Sequence, residues 1–130
     1  MTLEQQKTAQ AIVPIASVRN RFSVSDGTQV ALLDYCTGQD IALIPHGSLG
    51  AHPLKRGTPL TEASGILAEI SQNHDASATQ VALAWLLHRA PNILLIPGTT
   101  TISHLEENMQ ATQIRLSSAE FAQIDQHFAE

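Results

Sequence analysis

Ile93-Leu94-Leu95-Ile96-Pro97-Gly98-Thr99-Thr100-Thr101-Ile102-Ser103-His104-Leu105-Glu106-Glu107-Asn108 is the stretch that decides how this chain reads. An apolar run of strand length stops at a Pro-Gly pair, three threonines follow, and a helix begins. Ser103 and Glu106 have the Ser-x-x-Glu spacing of a capping box, which places the helix start at Ser103. A strand that feeds small and hydroxyl residues into a helix N-terminus can hold an anion, because free backbone N–H groups and the helix dipole both favour negative charge there. A phosphate-bearing ligand is the first functional expectation. The same shape also serves as an ordinary βα turn that binds nothing, and local chemistry alone leaves both readings open.

Two more strand-like runs lie upstream, at residues 15–22 (Ile-Ala-Ser-Val-Arg-Asn-Arg-Phe) and 41–45 (Ile-Ala-Leu-Ile-Pro). The second of these and residues 93–97 are short continuous apolar runs, which suit strands buried on both faces of a parallel sheet. Helical pattern fills the intervals. Residues 4–12 precede the first strand. Residues 27–37 carry Val30, Leu33 and Thr37 on one face with Leu32 and Cys36 beside them. Residues 62–73 place Ala63, Ile66, Leu67 and Ile70 at amphipathic spacing. Ser77 caps a helix over 78–88, which holds Trp85 on its apolar side. Ser103 opens a helix to about Thr112. Ser117, with Glu120 three residues on, opens the last, where Phe121, Ile124 and Phe128 form a stripe. Strands alternating with helices predict βαβ units and a parallel sheet of about three strands. Residues 46–61 form a Gly/Pro-rich loop after a strand C-terminus, where α/β sheets place ligands.

The chain has 130 residues, the size of one domain, and an apolar share of 43%, which excludes a disordered chain. A net charge of −5 with no Lys/Arg cluster argues against a nucleic-acid partner. No apolar run reaches membrane-span length and the first residues lack a signal-peptide pattern, so no membrane partner is expected. Cys36 is the single cysteine, so no intrachain disulfide can form, which fits a reducing cytoplasm. The six histidines are not spaced as metal ligands. Cys36 and Trp85 read as packing residues, and Asp34 and Arg56 as solvated charges or a weak surface pair.

Several motifs stand in order along nearly the whole chain. They are residues 11–23 (Ala-Ile-Val-Pro-Ile-Ala-Ser-Val-Arg-Asn-Arg-Phe-Ser), Leu33-Asp34-Tyr35-Cys36, residues 41–45, Gln80-Val81-Ala82-Leu83-Ala84-Trp85-Leu86-Leu87, Ile96-Pro97-Gly98-Thr99 and His104-Leu105-Glu106-Glu107-Asn108. This set resembles the aldo-keto reductases, whose fold is a (β/α)8 TIM barrel and whose members reduce carbonyls with NADPH. The matched part resembles the C-terminal portion of that barrel, covering its sixth, seventh and eighth strands. A whole barrel takes about 250 residues, and this chain has room for roughly half of one.

The resemblance implies a partial barrel over 1–130 that retains NADP(H)-binding elements. It lacks the Tyr, Lys, Asp and His of the family's catalytic group, which come from the N-terminal half. By position, Ser17 and Asn20 fall on the first strand, Asn20 near the nicotinamide, and His46 where an aromatic side chain usually stacks on it. Leu49 and Gly50 fall beside the pyrophosphate. Pro97, Gly98 and Thr99 fall near the adenosine phosphate, His104 where Arg often grips the ribose phosphate, and Glu107 and Asn108 where adenine is held. Arg19 stands where the family commonly has Gln, and the imidazole of His104 lacks the guanidinium fork. The implied function is a truncated reductase, inactive alone in carbonyl reduction. The alternatives are a non-catalytic nucleotide-binding module, or one part of a split or oligomeric barrel. Open sheet edges would let a complementary chain or a second copy pair with it.

Overall fold

The computed structural model describes residues 1–49 and 65–128, with no account of the Phe128 side chain. Gly50, Arg56 and most of the Gly/Pro-rich loop lie outside the described residues. The order is α1 (Leu3–Gln10), β1 (Ser17–Arg21), α2 (Val30–Gly38), β2 (Ala42–His46), α3 (Gly65–Asn73), α4 (Ala78–Arg89), α5 (Ile102–Gln110), a 3-10 turn (Ala111–Gln113) and α6 (Ser118–Phe128). β1 and β2 are parallel, with Ser17 opposite Ala42 and Arg21 opposite His46.

The third expected strand is corrected to a single parallel bridge, Leu43 to Ile93. The reason lies in β2. Ala42 N–H donates to Ala16 O at 3.1 Å, so the even positions of β2 face β1. Leu43 N–H donates to Asn92 O and Leu43 O accepts from Leu94 N–H, each at 2.9 Å, so the odd positions face residues 93–97. The next odd position is Pro45, which has no N–H to donate. The ladder loses that rung, and the run leaves the sheet.

Alternation sorts the two faces of this sheet. Val18, Asn20, Leu43, Pro45 and Ile93 are buried under helices. Ser17, Arg19, Arg21 and His46 are exposed on the other face, as are Leu94 and Ile96. The sheet is therefore one-sided among the described residues, as a barrel wall is when its lumen is open.

The core sits on the helix side. Six successive residues of α4, Val81 to Leu86, are buried, so this helix is enclosed on all sides. Ser77 caps it as expected: its side chain accepts from Gln80 N–H, and the Gln80 side chain accepts from Ser77 N–H. Trp85 lies between Phe22 and Phe121, with ring centroids 6.1 and 5.9 Å away, and its Nε1 donates to Asp125 Oδ1 at 3.0 Å. Leu32, Leu33 and Cys36 of α2 are fully buried, and burial pushes the Cys36 thiol pKa up, consistent with packing rather than reactivity.

Helix starts differ where side chains compete for backbone donors. α2 begins at Val30 rather than Gly27, because Asp26 Oδ1 accepts from Thr28 N–H and Oγ1 and holds 26–28 in a turn. That hydrogen bonding, led by the Thr28 hydroxyl, also lowers the Asp26 pKa, helped by Arg21 Nε at 2.9 Å. α5 begins one turn-step early. Thr101, not Ser103, is its N-cap, in extended conformation and accepting from His104 N–H. Of the four hydroxyls at 99–103, Thr101 takes the cap, because its backbone is extended and its Oγ1 reaches the His104 N–H. At α6 the Ser117–Glu120 box forms, and His74 Nε2 reaches Glu120 Oε2 at 3.0 Å. The Ser117 N–H and His74 together hold the Glu120 carboxyl at a pKa of about 2.

Candidate functional site

Parallel strands bring their C-terminal ends to one side. The register sets His46 beside Arg21 there, and the chain leaves β2 through Gly47, whose positive φ of 66° suits a residue without Cβ. Ser48 is buried and Leu49 packs half-buried on the core, so the first turn of the following loop is anchored. The run 93–97 starts parallel to β2 at the Leu43 bridge and then leaves the sheet. Pro97, Gly98 and Thr99 follow that run toward α5, and His46 and Arg21 mark the C-terminal end of the sheet. Ser17 opens β1 at the opposite end, four residues or about 13 Å away.

Thr99 and Thr101 build the approach to α5. Thr99 Oγ1 accepts from Thr101 N–H at 3.2 Å, and Thr101 Oγ1 accepts from His104 N–H at 3.4 Å. Residues 100–107 are exposed, so the positive end of α5 and the His104 ring face solvent. Nothing crowds Gly98: a Cβ there would meet no atom within 4 Å. The turn is open enough for an anion to approach the backbone. Glu107 and Asn108 lie six and seven residues past Thr101, about 9–10 Å along the axis.

Asn20 is used differently from expectation. Its Nδ2 donates to Met1 O at 2.7 Å and to Gln29 Oε1 at 3.4 Å, and its Oδ1 accepts from Arg21 N–H at 3.0 Å. It lies on the helix-covered face, so both ends of the amide are held inside the chain. Asp34 meets Arg89 at 3.9 Å, an ion pair largely in solvent.

Two amides that position the site went unnoticed in the sequence. Gln80 Nε2 donates to Glu107 O at 2.9 Å, fastening α4 to the middle of α5. Asn92 Nδ2 donates to Ile41 O, and its Oδ1 accepts from Thr37 Oγ1, tying α2 and β2 to the run that carries Pro97. The Ser-x-x-Gln box could have flagged Gln80; Asn92 had no local signal. A cavity of about 870 Å³ lies elsewhere among the described residues, between Phe22–Val30 and the Trp85–Arg89 side of α4. Its Trp85, Asp26 and Arg89 groups are already engaged within the chain. No group of three metal-ligating side chains occurs among the described residues, and none of their helices is long and apolar enough to cross a membrane.

Comparison with known proteins gives a consistent picture. The model of the aldo/keto reductase family matches residues 1–129. An uncharacterised oxidoreductase of Schizosaccharomyces pombe is 39% identical over 97% of this chain and 39% of its own length. Pyridoxine 4-dehydrogenase of Escherichia coli is 38% identical over 96% of this chain and 41% of its own. The solved aldo-keto reductase of Klebsiella pneumoniae in complex with NADPH superposes with a TM-score of 0.85 at 25% identity, covering 98% of this chain and 45% of that one. The chain spans about two fifths of the length of the curated relatives it matches.

Proposed function

This chain belongs to the aldo/keto reductase family, and we propose that it is the dinucleotide-gripping portion of an NADP(H)-dependent oxidoreductase, without the group that delivers the proton. The observation that carries the reading is the exposed, Thr101-capped start of α5, entered through the uncrowded Gly98. A helix N-terminus attracts a phosphate through its free N–H groups. Thr99 and the open backbone at Pro97 and Gly98 admit that phosphate, and His104 adds a second donor. Glu107 and Asn108 hold adenine further along α5. His46 and Leu49 serve the nicotinamide and pyrophosphate side, where the family resemblance also assigns Gly50. Ser17 and Asn20 serve the strand rather than the ligand. The NADPH-bound relative supports this assignment.

When bound, the dinucleotide supplies hydride. Reduction of a carbonyl also needs a proton donor tuned beside the hydride acceptor. Tyr35, the single tyrosine, donates to Gln10 Oε1 at 3.1 Å and lies under Lys7, on the contact between α1 and α2. That is the outer helical layer and not the strand ends. We place the protein in the cytoplasm, with residues 1–130 acting as one unit.

Titration of NADPH fluorescence tests binding, and carbonyl-dependent NADPH consumption tests turnover. Binding without turnover is expected, with weak preference over NADH because His104 lacks the guanidinium fork. Turnover by the purified chain alone refutes the missing proton donor, and absence of binding refutes the retained cofactor side.

A further inference from the structure

Little holds α5 in place along its length. None of its residues is buried. Its C-terminal exit is fixed, because Ala111 and Ile114 are buried. Upstream, the last aliphatic side chain packed on the core is Leu95, six residues before the Thr101 cap. Between those anchors, one side chain supplies both hydrogen bonds that reach α5 from another α-helix or a strand among the described residues. Gln80 Nε2 donates to Glu107 O at 2.9 Å and to Gln110 Oε1 at 3.4 Å. Gln80 is 7% exposed, and its Oε1 accepts from the Ser77 N–H at 2.9 Å. The start of α4 therefore orients this amide and aims its donor at α5. Glu107 O also accepts from the Ala111 N–H, so the Gln80 bond adds to the helix ladder and replaces no rung. Packing does not duplicate the link: a cavity of about 410 Å³ opens beside Gln80, bordered by Gln110, Gln113 and Ile114.

We infer that Gln80 is a positioning residue: its amide sets where α5 stands, and through α5 it sets the affinity for the adenosine end of the dinucleotide. The choice of ligand rests on the dinucleotide reading; the mechanics rest on the two hydrogen bonds. Gln80 touches no ligand and acts through the backbone of α5. Distance along the helix amplifies what it does. Glu107 lies about 6 Å from Ala111 along the axis, and Thr101 about 15 Å. With Ala111 as the pivot, a shift of about 1 Å at Glu107 moves the helix start by about 2.5 Å. Hydrogen bonds from backbone N–H groups to a phosphate hold only within about 2.7–3.2 Å, so a displacement of that size breaks them. Glu107 and Asn108, the residues proposed for adenine, move with the same helix.

Three variants of the whole chain separate the two jobs of this amide. Gln80→Glu keeps an oxygen for the Ser77 N–H, as Glu does in a capping box, but offers Glu107 O no donor. Gln80→Met, neutral and of similar volume, offers none either. Ser77→Ala loosens the start of α4 and leaves the Gln80 donor in place. Calorimetric titration with NADPH and with adenosine 2′,5′-bisphosphate reads binding, and hydrogen exchange in the free chain reads α5. Both Gln80 variants should lose about tenfold in affinity for both ligands, the equivalent of one well-made hydrogen bond. They should also speed exchange at the α5 amides while α4 past its first turn stays protected. Ser77→Ala should lower the urea midpoint and keep both affinities within about twofold. A loss confined to Gln80→Glu overturns the inference in favour of charge repulsion. Equal losses in Ser77→Ala and the Gln80 variants reduce Gln80 to a folding role and overturn it, as do unchanged affinities or unchanged α5 exchange. If the unaltered chain binds neither ligand, the dinucleotide reading fails by itself, and exchange at α5 still decides whether Gln80 holds that helix.

Discussion

Replacing Gln6 with Leu should raise the stability of this protein. Gln6 lies in α1, fully buried, and neither Nε2 nor Oε1 has a hydrogen-bond partner among the described residues. A buried polar atom left without a partner costs about 1–3 kcal/mol, because the water it gave up is not replaced. Leu has a similar volume and nearly the same helix propensity, so the substitution removes the penalty with little change in packing or in the helix. Counting the amide as one desolvated group, the expected gain is about 2 kcal/mol, or roughly 6 °C in Tm for a chain of this size. Urea denaturation followed by circular dichroism reads it as a higher midpoint at unchanged slope. Gln6→Ala is the control. It removes the same amide but leaves a void, and should melt below Gln6→Leu. If Gln6→Leu instead lowers the midpoint, the amide is satisfied in solution and the reasoning about its isolation is wrong.

Three further outcomes follow from the structure. The Glu120 carboxyl, with its pKa lowered from 4.5 to about 2, contributes stability that is fully present above pH 4.5 and is lost as pH falls toward 2. After solvent screening this amounts to about 1–2 kcal/mol, so Glu120→Gln should flatten the fall in urea midpoint across that window. Thr101→Ala should cost about 1 kcal/mol and weaken NADPH binding, whereas Ser103→Ala should change the urea midpoint by less than about 0.3 kcal/mol; equal effects would restore Ser103 as the cap. Trp85→Ala should cost about 3–5 kcal/mol, and a loss below about 1 kcal/mol in thermal denaturation would show that the Phe22–Trp85–Phe121 stack is not the centre of the core.

Long-range partners account for most of what the sequence concealed. β1 and β2 were readable from their own residues, as was α4, whose start is marked by Ser77 and Gln80. The run at 93–97 has the composition of a strand but not the neighbour, since its second rung needed an N–H at position 45, fifty residues away in sequence. Strand propensity reports fit to a pleated surface and is silent about donors on the adjacent chain. The α5 cap is ambiguous in sequence for a local reason: Thr99, Thr100, Thr101 and Ser103 all offer hydroxyls, and the extended backbone at Thr101 selects one. The residues proposed for the two ends of the site come from the family resemblance more than from their local chemistry. Asn20 shows the limit of that route, because a strand residue at a ligand-facing place in the motif spends its amide on Met1, Gln29 and Arg21.

The two layers of this protein differ in completeness, and the difference bears on function. The helical layer closes on itself: α4 is enclosed, Trp85 is bracketed by rings, and Gln80 and Asn92 pin α5 and the 93–97 run to it. Burial of each large aliphatic side chain there is worth about 1.5–3 kcal/mol, and that layer holds nearly all of them. The sheet, by contrast, has one covered face and stops at a proline. The elements proposed to grip the dinucleotide hang from the complete layer, since α5 is tied to α4 and Leu49 is packed on the core. The other face of the sheet exposes Arg19, Arg21 and Ile96, of which Arg21 is held by Asp26 at 2.9 Å. On the proposed reading, the elements that hold the cofactor therefore take their geometry from the helical layer rather than from the exposed face of the sheet.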